Sequence, residues 1–160
     1  MIDLHCHLLP AVDDGPPELG TALELARLQL AAGVRVVAVT PHVTPQLPTA
    51  PETVERGVAE LRVALAAARL GLEVAPGAEL DVRSALELDD ATLARLTLGG
   101  AGWLLLEAPL GPTAAPLELV ARRLLARGFR VLLAHPERAP LLQRDPAVLR
   151  RLAADGVRTQ

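Results

Sequence analysis

Four histidines occur in this 160-residue chain, and each stands where a short apolar run gives out. His5 and His7 close the run that begins at Ile2. His42 follows Val34 to Val39 and Thr40-Pro41, and His135 follows Phe129 to Ala134. Two carboxylates fall at equivalent places: Glu79 after Leu72 to Ala75 and Pro76-Gly77, and Glu107 after Trp103 to Leu106. Asp13 and Asp14 lie in the loop after the first run. A mixed set of imidazoles and carboxylates suits borderline or harder divalent cations such as Mn²⁺, Zn²⁺ or Fe²⁺. Carboxylates also bridge neighbouring ions, and two or three ions together activate water and neutralise a phosphoryl oxygen. His5-Cys6-His7 has the geometry for this. In a strand, residues i and i+2 share a face, so both imidazoles reach one ion while Cys6 turns into packing.

Taken singly, each residue has a plainer reading. A lone His-x-His is often two polar residues on an exposed strand, His42 after Thr-Pro can cap a turn, and Glu79 can be a solvated loop residue. Glu107 is harder to dismiss, because a carboxylate at the end of Trp103-Leu104-Leu105-Leu106 is costly to bury without a partner. The joint pattern favours metal binding. Arg138, in His135-Pro136-Glu137-Arg138, lies just beyond the fifth run. Its guanidinium either clamps a phosphate dianion in bidentate fashion or pairs with Glu137 or a neighbouring helix, and both readings stay open.

The elements needed to position these groups are legible as alternating strands and helices. Strands are expected at Ile2 to His5, Val34 to Val39 (ended by Thr40-Pro41), Leu72 to Ala75 (closed by Pro76-Gly77), Trp103 to Leu106 and Phe129 to Ala134, with a sixth begun at Val157 to Gln160. Helices are expected from Pro16-Pro17-Glu18 to Ala32, from Pro51-Glu52 to about Leu70, around Asp90 to Leu96, from Leu117 to Arg127, and from Asp145-Pro146 to Ala154. Continuous apolar strands alternating with helices imply parallel strands covered by helices. The C-terminal edge of such a sheet is where active sites are built. Five strands in succession deliver a metal-capable side chain to that edge. The Pro- and Thr-rich stretch Val43 to Ala50 reads as a flap beside the site, and a single domain, 1–160, is expected.

Composition narrows the classes. Apolar residues are 51% of the chain, enough to build a core, and the net charge of −3 argues against a nucleic-acid or anionic-membrane surface. No apolar run approaches the roughly 18 residues of a membrane span, and the N-terminus lacks the pattern of a signal peptide. Cys6 is the only cysteine, which excludes a disulfide framework and a Cys-based zinc cluster. A cytoplasmic location is the default expectation. A thiolate phosphatase needs Cys-x5-Arg, and the residue six after Cys6 is Val12, so Cys6 is not such a nucleophile.

The stretches Met1-Ile-Asp-Leu-His-Cys-His7, Val12-Asp-Asp-Gly15, Ala38-Val-Thr-Pro-His42, Pro76-Gly-Ala-Glu79, Leu104-Leu-Leu-Glu107 and Ala134-His-Pro-Glu-Arg138 resemble the PHP-superfamily tyrosine-protein phosphatases of bacterial capsule and exopolysaccharide biosynthesis. The likeness runs along the whole chain in order. The resemblance implies a distorted (β/α)7 barrel and up to three metal ions, commonly manganese, with zinc or iron(II) as alternatives. It implies that His5, His7 and Glu79 hold a first ion, that Glu79 bridges to a second held by Glu107 and His135, and that Asp14 and His42 hold a third. Asp13 competes for the role of Asp14. Arg138 would sit near the substrate phosphate. The implied reaction is hydrolysis of protein phosphotyrosine, on the tail of a bacterial tyrosine kinase, by direct attack of water without a phosphoenzyme.

The chain also departs from that family. The family supplies, beyond the position of Gln160, a late Asp-x-His that completes the first and third metal sites, usually a further Arg, and a seventh strand. With five to six strands the barrel is expected to be open, its unpaired edge inviting pairing with another chain. If the chain is complete as it stands, weak metal affinity and low turnover are expected. A catalytically impaired remnant that binds only metal or a partner is one alternative. Another PHP phosphoesterase, histidinol-phosphatase-like or polymerase-associated, is a second, against which the Asp-Asp-Gly and His-Pro-Glu-Arg elements argue.

Overall fold

A computed structural model describes residues 1–111 and 117–160. In chain order the elements are β1 (Ile2–Cys6), α1 (Leu19–Ala31), β2 (Val36–Val39), β3 (His42–Val43), α2 (Pro51–Ala67), β4 (Glu73–Pro76), β5 (Glu79–Leu80), α3 (Val82–Glu87), α4 (Asp90–Arg95), β6 (Trp103–Glu107), α5 (Leu117–Ala126), β7 (Arg130–Ala134), α6 (Pro140–Arg144), α7 (Ala147–Ala154) and β8 (Arg158–Thr159), with 3-10 turns at Leu98–Gly100 and Pro136–Arg138. Every strand pairing between these elements is parallel. The order is β1-β2-β4 in one sheet and β3-β5-β6-β7-β8 in the other. The fold is thus α/β with parallel strands, and β1 and β8 stand at opposite ends of the order.

Two strands end at their prolines and are followed by short strands that keep their register. Val36↔Glu73 to Val39↔Pro76 is followed, in the same register, by His42↔Glu79 and Val43↔Leu80. The expectation that Thr40-Pro41 and Pro76-Gly77 end their strands holds, since β2 stops at Val39 and β4 at Pro76, and what the sequence did not show is that the pairing resumes in β3 and β5. Proline removes one donor from a ladder but keeps its carbonyl, and the Pro41 carbonyl accepts the Glu79 N–H at 3.0 Å. The ladder bends there and resumes. Gly77 lies at the bend, where a Cβ would come within 2.8 Å of Leu98 Cδ2.

The β1–β2 register slips between Asp3↔Val37 and Cys6↔Val39. One extra residue in β1 makes a bulge beside His5, a feature that re-aims side chains. Thr40, fully buried, ties the two strands just past it: its Oγ1 accepts the Cys6 N–H at 3.0 Å and its own N–H donates to the Cys6 carbonyl at 2.9 Å.

Both faces of the central strands β6 and β7 are buried, as their unbroken apolar runs required. Leu104 and Leu106 of β6 and Val131 and Leu133 of β7 pack into the larger core under the helices. Leu105, Leu132 and Ala134 alternate to a smaller cluster with Ala38, Leu98 and Trp103. Helix α2 buries Val54, Val58, Leu61 and Leu65, a stripe at helical spacing that faces the core. Helices α3 and α6 were not anticipated. Six and five residues carry too little periodicity to read, although Asp81 caps α3 by accepting the Ser84 N–H at 2.7 Å. Among the described residues, no helix is long and apolar enough to cross a membrane.

Candidate metal centre

The strand ends converge. One cavity of about 670 Å³ is lined by all seven candidate ligands, His5, His7, Asp14, His42, Glu79, Glu107 and His135, together with Arg138. Cys6 and Leu110 complete its wall, and Asp13 does not reach it. Glu79 lies at the centre, only 1% exposed. Its Oε2 is 3.1 Å from His5 Nε2, 3.2 Å from His7 Nε2 and 3.2 Å from His42 Nδ1. Its Oε1 lies 2.8 Å from His135 Nε2, which is also 3.8 Å from Glu107 Oε1. Asp14 Oδ1, on a side chain 74% exposed, is 3.4 Å from His7 Nδ1 and 3.7 Å from His42 Nε2.

Three sets of ligand atoms gather within 4.8 Å of one another: His5, His7 and Glu79; His7, Asp14 and His42; and His42, Glu79 and Glu107. The first is the set anticipated for one ion. His42 groups with Glu79 and Glu107 as well as with Asp14, so it sits between sites rather than at one end. The donor set fits divalent cations on a second count. Glu79 Oε2, His42 Nδ1 and His135 Nδ1 are buried without a hydrogen-bond partner among the described residues. The imidazoles thus lie at ion-pair distance from Oε2 but off its hydrogen-bonding directions. An orphaned buried polar group costs about 1–3 kcal/mol, and a bound cation satisfies several at once.

Protonation equilibria follow from this crowding. Burial alone would raise the Glu79 pKa, but the His5 and His7 imidazoles, and the charges of His5 and His42, hold it well below the usual carboxylate range. Glu107 is pushed up by its own burial and by the Glu79 charge. Burial would lower the pKa of His7, yet its hydrogen bond to Asp13 and the neighbouring Glu79 carboxylate raise it to about 10. Asp13 is held low, its burial outweighed by the His7 ring and by the His42 and Gly15 N–H groups. Burial and the Asp3 charge push the Cys6 thiol to about 11, so it stays protonated and is no nucleophile.

His135 adopts φ 27°, a strained backbone for a side chain other than glycine. The turn Pro136–Arg138 that follows leaves Arg138 exposed on the cavity rim. Leu110 and Thr40 were missed from sequence. Leu110 is an exposed apolar residue three positions past Glu107, and nothing in its type marks it. Thr40, a polar residue closing an all-apolar strand, carried a signal.

Comparison with known proteins places this geometry. The chain is 31% identical over 161 aligned residues to the tyrosine-protein phosphatase YwqE of Bacillus subtilis (strain 168), covering all of this chain and 63% of that protein. It is 26% identical to CapC of Staphylococcus aureus over the same shares. The chain thus spans under two thirds of the length of the curated relatives it matches. A chain from the crystal structures of YwqE from Bacillus subtilis and CpsB from Streptococcus pneumoniae, described as unique metal-dependent tyrosine phosphatases, matches with TM-score 0.90 and 31% identity over 100% of this chain and 65% of that one. A family model described as capsular polysaccharide synthesis, CpsB/CapC, matches residues 1–160, and the chain belongs to that family.

Proposed function

We propose that this chain is a metal-dependent phosphotyrosine phosphatase domain that hydrolyses phosphate from protein, in the regulation of capsular or exopolysaccharide synthesis. The observation that carries the reading is the buried Glu79 carboxylate, whose Oε2 has three imidazole nitrogens within 3.2 Å and no hydrogen bond among the described residues. His5, His7 and Glu79 would hold a first ion, Glu79, Glu107 and His135 a second, and Asp14 and His42 a third. Manganese is the proposed metal. Ions held there would supply positive charge for the phosphoryl oxygens and lower the pKa of water. Arg138 on the rim then orients the phosphate through its fork of N–H donors. Leu110 offers an apolar surface beside it.

The substrate is proposed to be the phosphorylated tail of a bacterial tyrosine kinase in the cytoplasm. We further read residues 1–160 as one domain of a distorted (β/α)7 barrel, with the β1 and β8 edges open to pairing. Turnover of para-nitrophenyl phosphate and of a phosphotyrosine peptide, with Mn²⁺ added, tests the function. The expected result is a Mn²⁺-dependent rate abolished by His42→Ala. A rate unchanged by chelator or by His42→Ala would overturn it.

A further inference from the structure

We propose that Asp13 is a positioning residue: it holds the His7 ring and the His42 backbone in place for the cations and does not itself bind one. The inference rests on the metal-site reading above. Asp13 and Asp14 are neighbours in sequence with opposite surroundings. The Asp14 side chain is 74% exposed and lines the cavity, whereas that of Asp13 is 0% exposed and stands behind the wall.

Every contact of Asp13 is a donor aimed at it. Its Oδ2 pairs with His7 Nδ1 at 2.6 Å and accepts the His42 N–H at 2.9 Å. Its Oδ1 accepts the Gly15 N–H at 3.0 Å. A carboxylate engaged by three donors has little left to offer a cation. The opposite edge of the His7 ring carries Nε2, 3.2 Å from Glu79 Oε2 and 3.2 Å from His5 Nε2. A ring whose Nδ1–H is held by a carboxylate presents Nε2 as the ligand and cannot rotate away.

Asp13 also joins two strands where their ladder stops. The last β1–β2 pair is Cys6↔Val39, and beyond it the Asp13 carboxylate links His7 to His42. The loop is drawn in tightly for this. A Cβ on Gly15 would lie 2.7 Å from the His7 carbonyl oxygen. The two acids therefore divide the work, Asp14 facing the ions and Asp13 bracing the groups that do.

The test begins with the unsubstituted chain loaded with diamagnetic Zn²⁺. Long-range ¹H–¹⁵N correlation of the histidine rings reads which His7 nitrogen carries the proton. The expected result is a strongly downfield Nδ1–H and a metal-shifted Nε2. A His7 ring metallated through Nδ1, or protonated on Nε2, overturns the inference while leaving the metal centre intact. No zinc uptake at all overturns both readings. Asp13→Asn, folded by circular dichroism, is then expected to keep the number of ions, to lose the downfield Nδ1–H, and to bind metal about 10- to 100-fold more weakly. Asp14→Asn is expected to weaken binding with the His7 signal unchanged. Asp13→Asn that binds one ion fewer would mark Asp13 as a ligand, and Asp13→Asn with unaltered affinity would remove its positioning role.

Discussion

His42 and Glu79 stand directly opposite each other in adjacent parallel strands, and Nδ1 of the one lies 3.2 Å from Oε2 of the other. The pairing explains why a carboxylate can be buried among four imidazoles: the backbone ladder itself delivers it there. Its removal should be felt by every ligand set it joins. Glu79→Gln keeps the shape and loses the charge. The expected outcome is a fall in Mn²⁺ affinity beyond the roughly 10- to 100-fold seen when outer-shell groups are changed, measured by calorimetric titration.

The metal-free chain should show a stability profile with two limbs. The His7 pKa is raised from 6.5 to about 10. Its contribution is therefore complete below pH 6.5 and is lost as pH climbs toward about 10. Glu79 titrates below its ordinary 4.5, so its contribution is present above that value and is lost as pH falls through and below it. The melting temperature with chelator should peak between these limbs, near pH 4.5–6.5, and decline on either side. A metal that binds neutral His7 must displace its proton, so cation uptake at pH 7.5 should release protons. Titration in buffers of different ionisation enthalpy checks this.

Much of this was legible in the sequence, and the reasons for the rest are physical. His5, His7, Glu107 and His135 announce themselves because each ends an apolar run of strand length. The resumption of the ladder beyond Pro41 and Gly77, in β3 and β5, was hidden. Local rules treat proline as a stop, and only the register of the neighbouring strand shows that one lost donor is tolerated. Asp13 and Asp14 were inseparable because the same residue type occurs twice in succession. Burial divides them, and burial depends on how tightly the loop closes on Gly15.

Gly15→Ala follows from that closure. The added methyl would meet the His7 carbonyl oxygen at 2.7 Å and Asp13 Oδ1 at 3.1 Å. The backbone must shift, and with it the His7 ring. Weaker metal binding than in the parent is expected, together with a lower melting temperature, whereas Gly20→Ala in helix α1, whose Cβ would meet nothing closer than 3.7 Å, should leave metal binding unchanged and the melting temperature no lower than the parent's.

The core should respond independently of the site. Leu106 is fully buried in the layer between sheet and helices. Leu106→Ala is expected to cost about 2–5 kcal/mol through lost burial and a residual cavity, read by urea denaturation. Arg95 pairs with Glu52 and Glu55 in the open, 2.5 and 2.8 Å away. Exposed pairs contribute little singly, and this fork to Glu55 with a third bond to Glu52 contributes modestly, so Arg95→Ala should lower the urea midpoint far less than Leu106→Ala.

Titration of the metal-free chain with Mn²⁺, followed by the electron paramagnetic resonance of the unbound ion, is the most direct test of the site. If imidazoles and carboxylates from these strands share cations around Glu79, the signal should vanish through the first additions until more than one ion per chain is taken up. That uptake should disappear in Glu79→Gln. A signal that rises from the first addition, as it would with no protein present, would contradict the assignment.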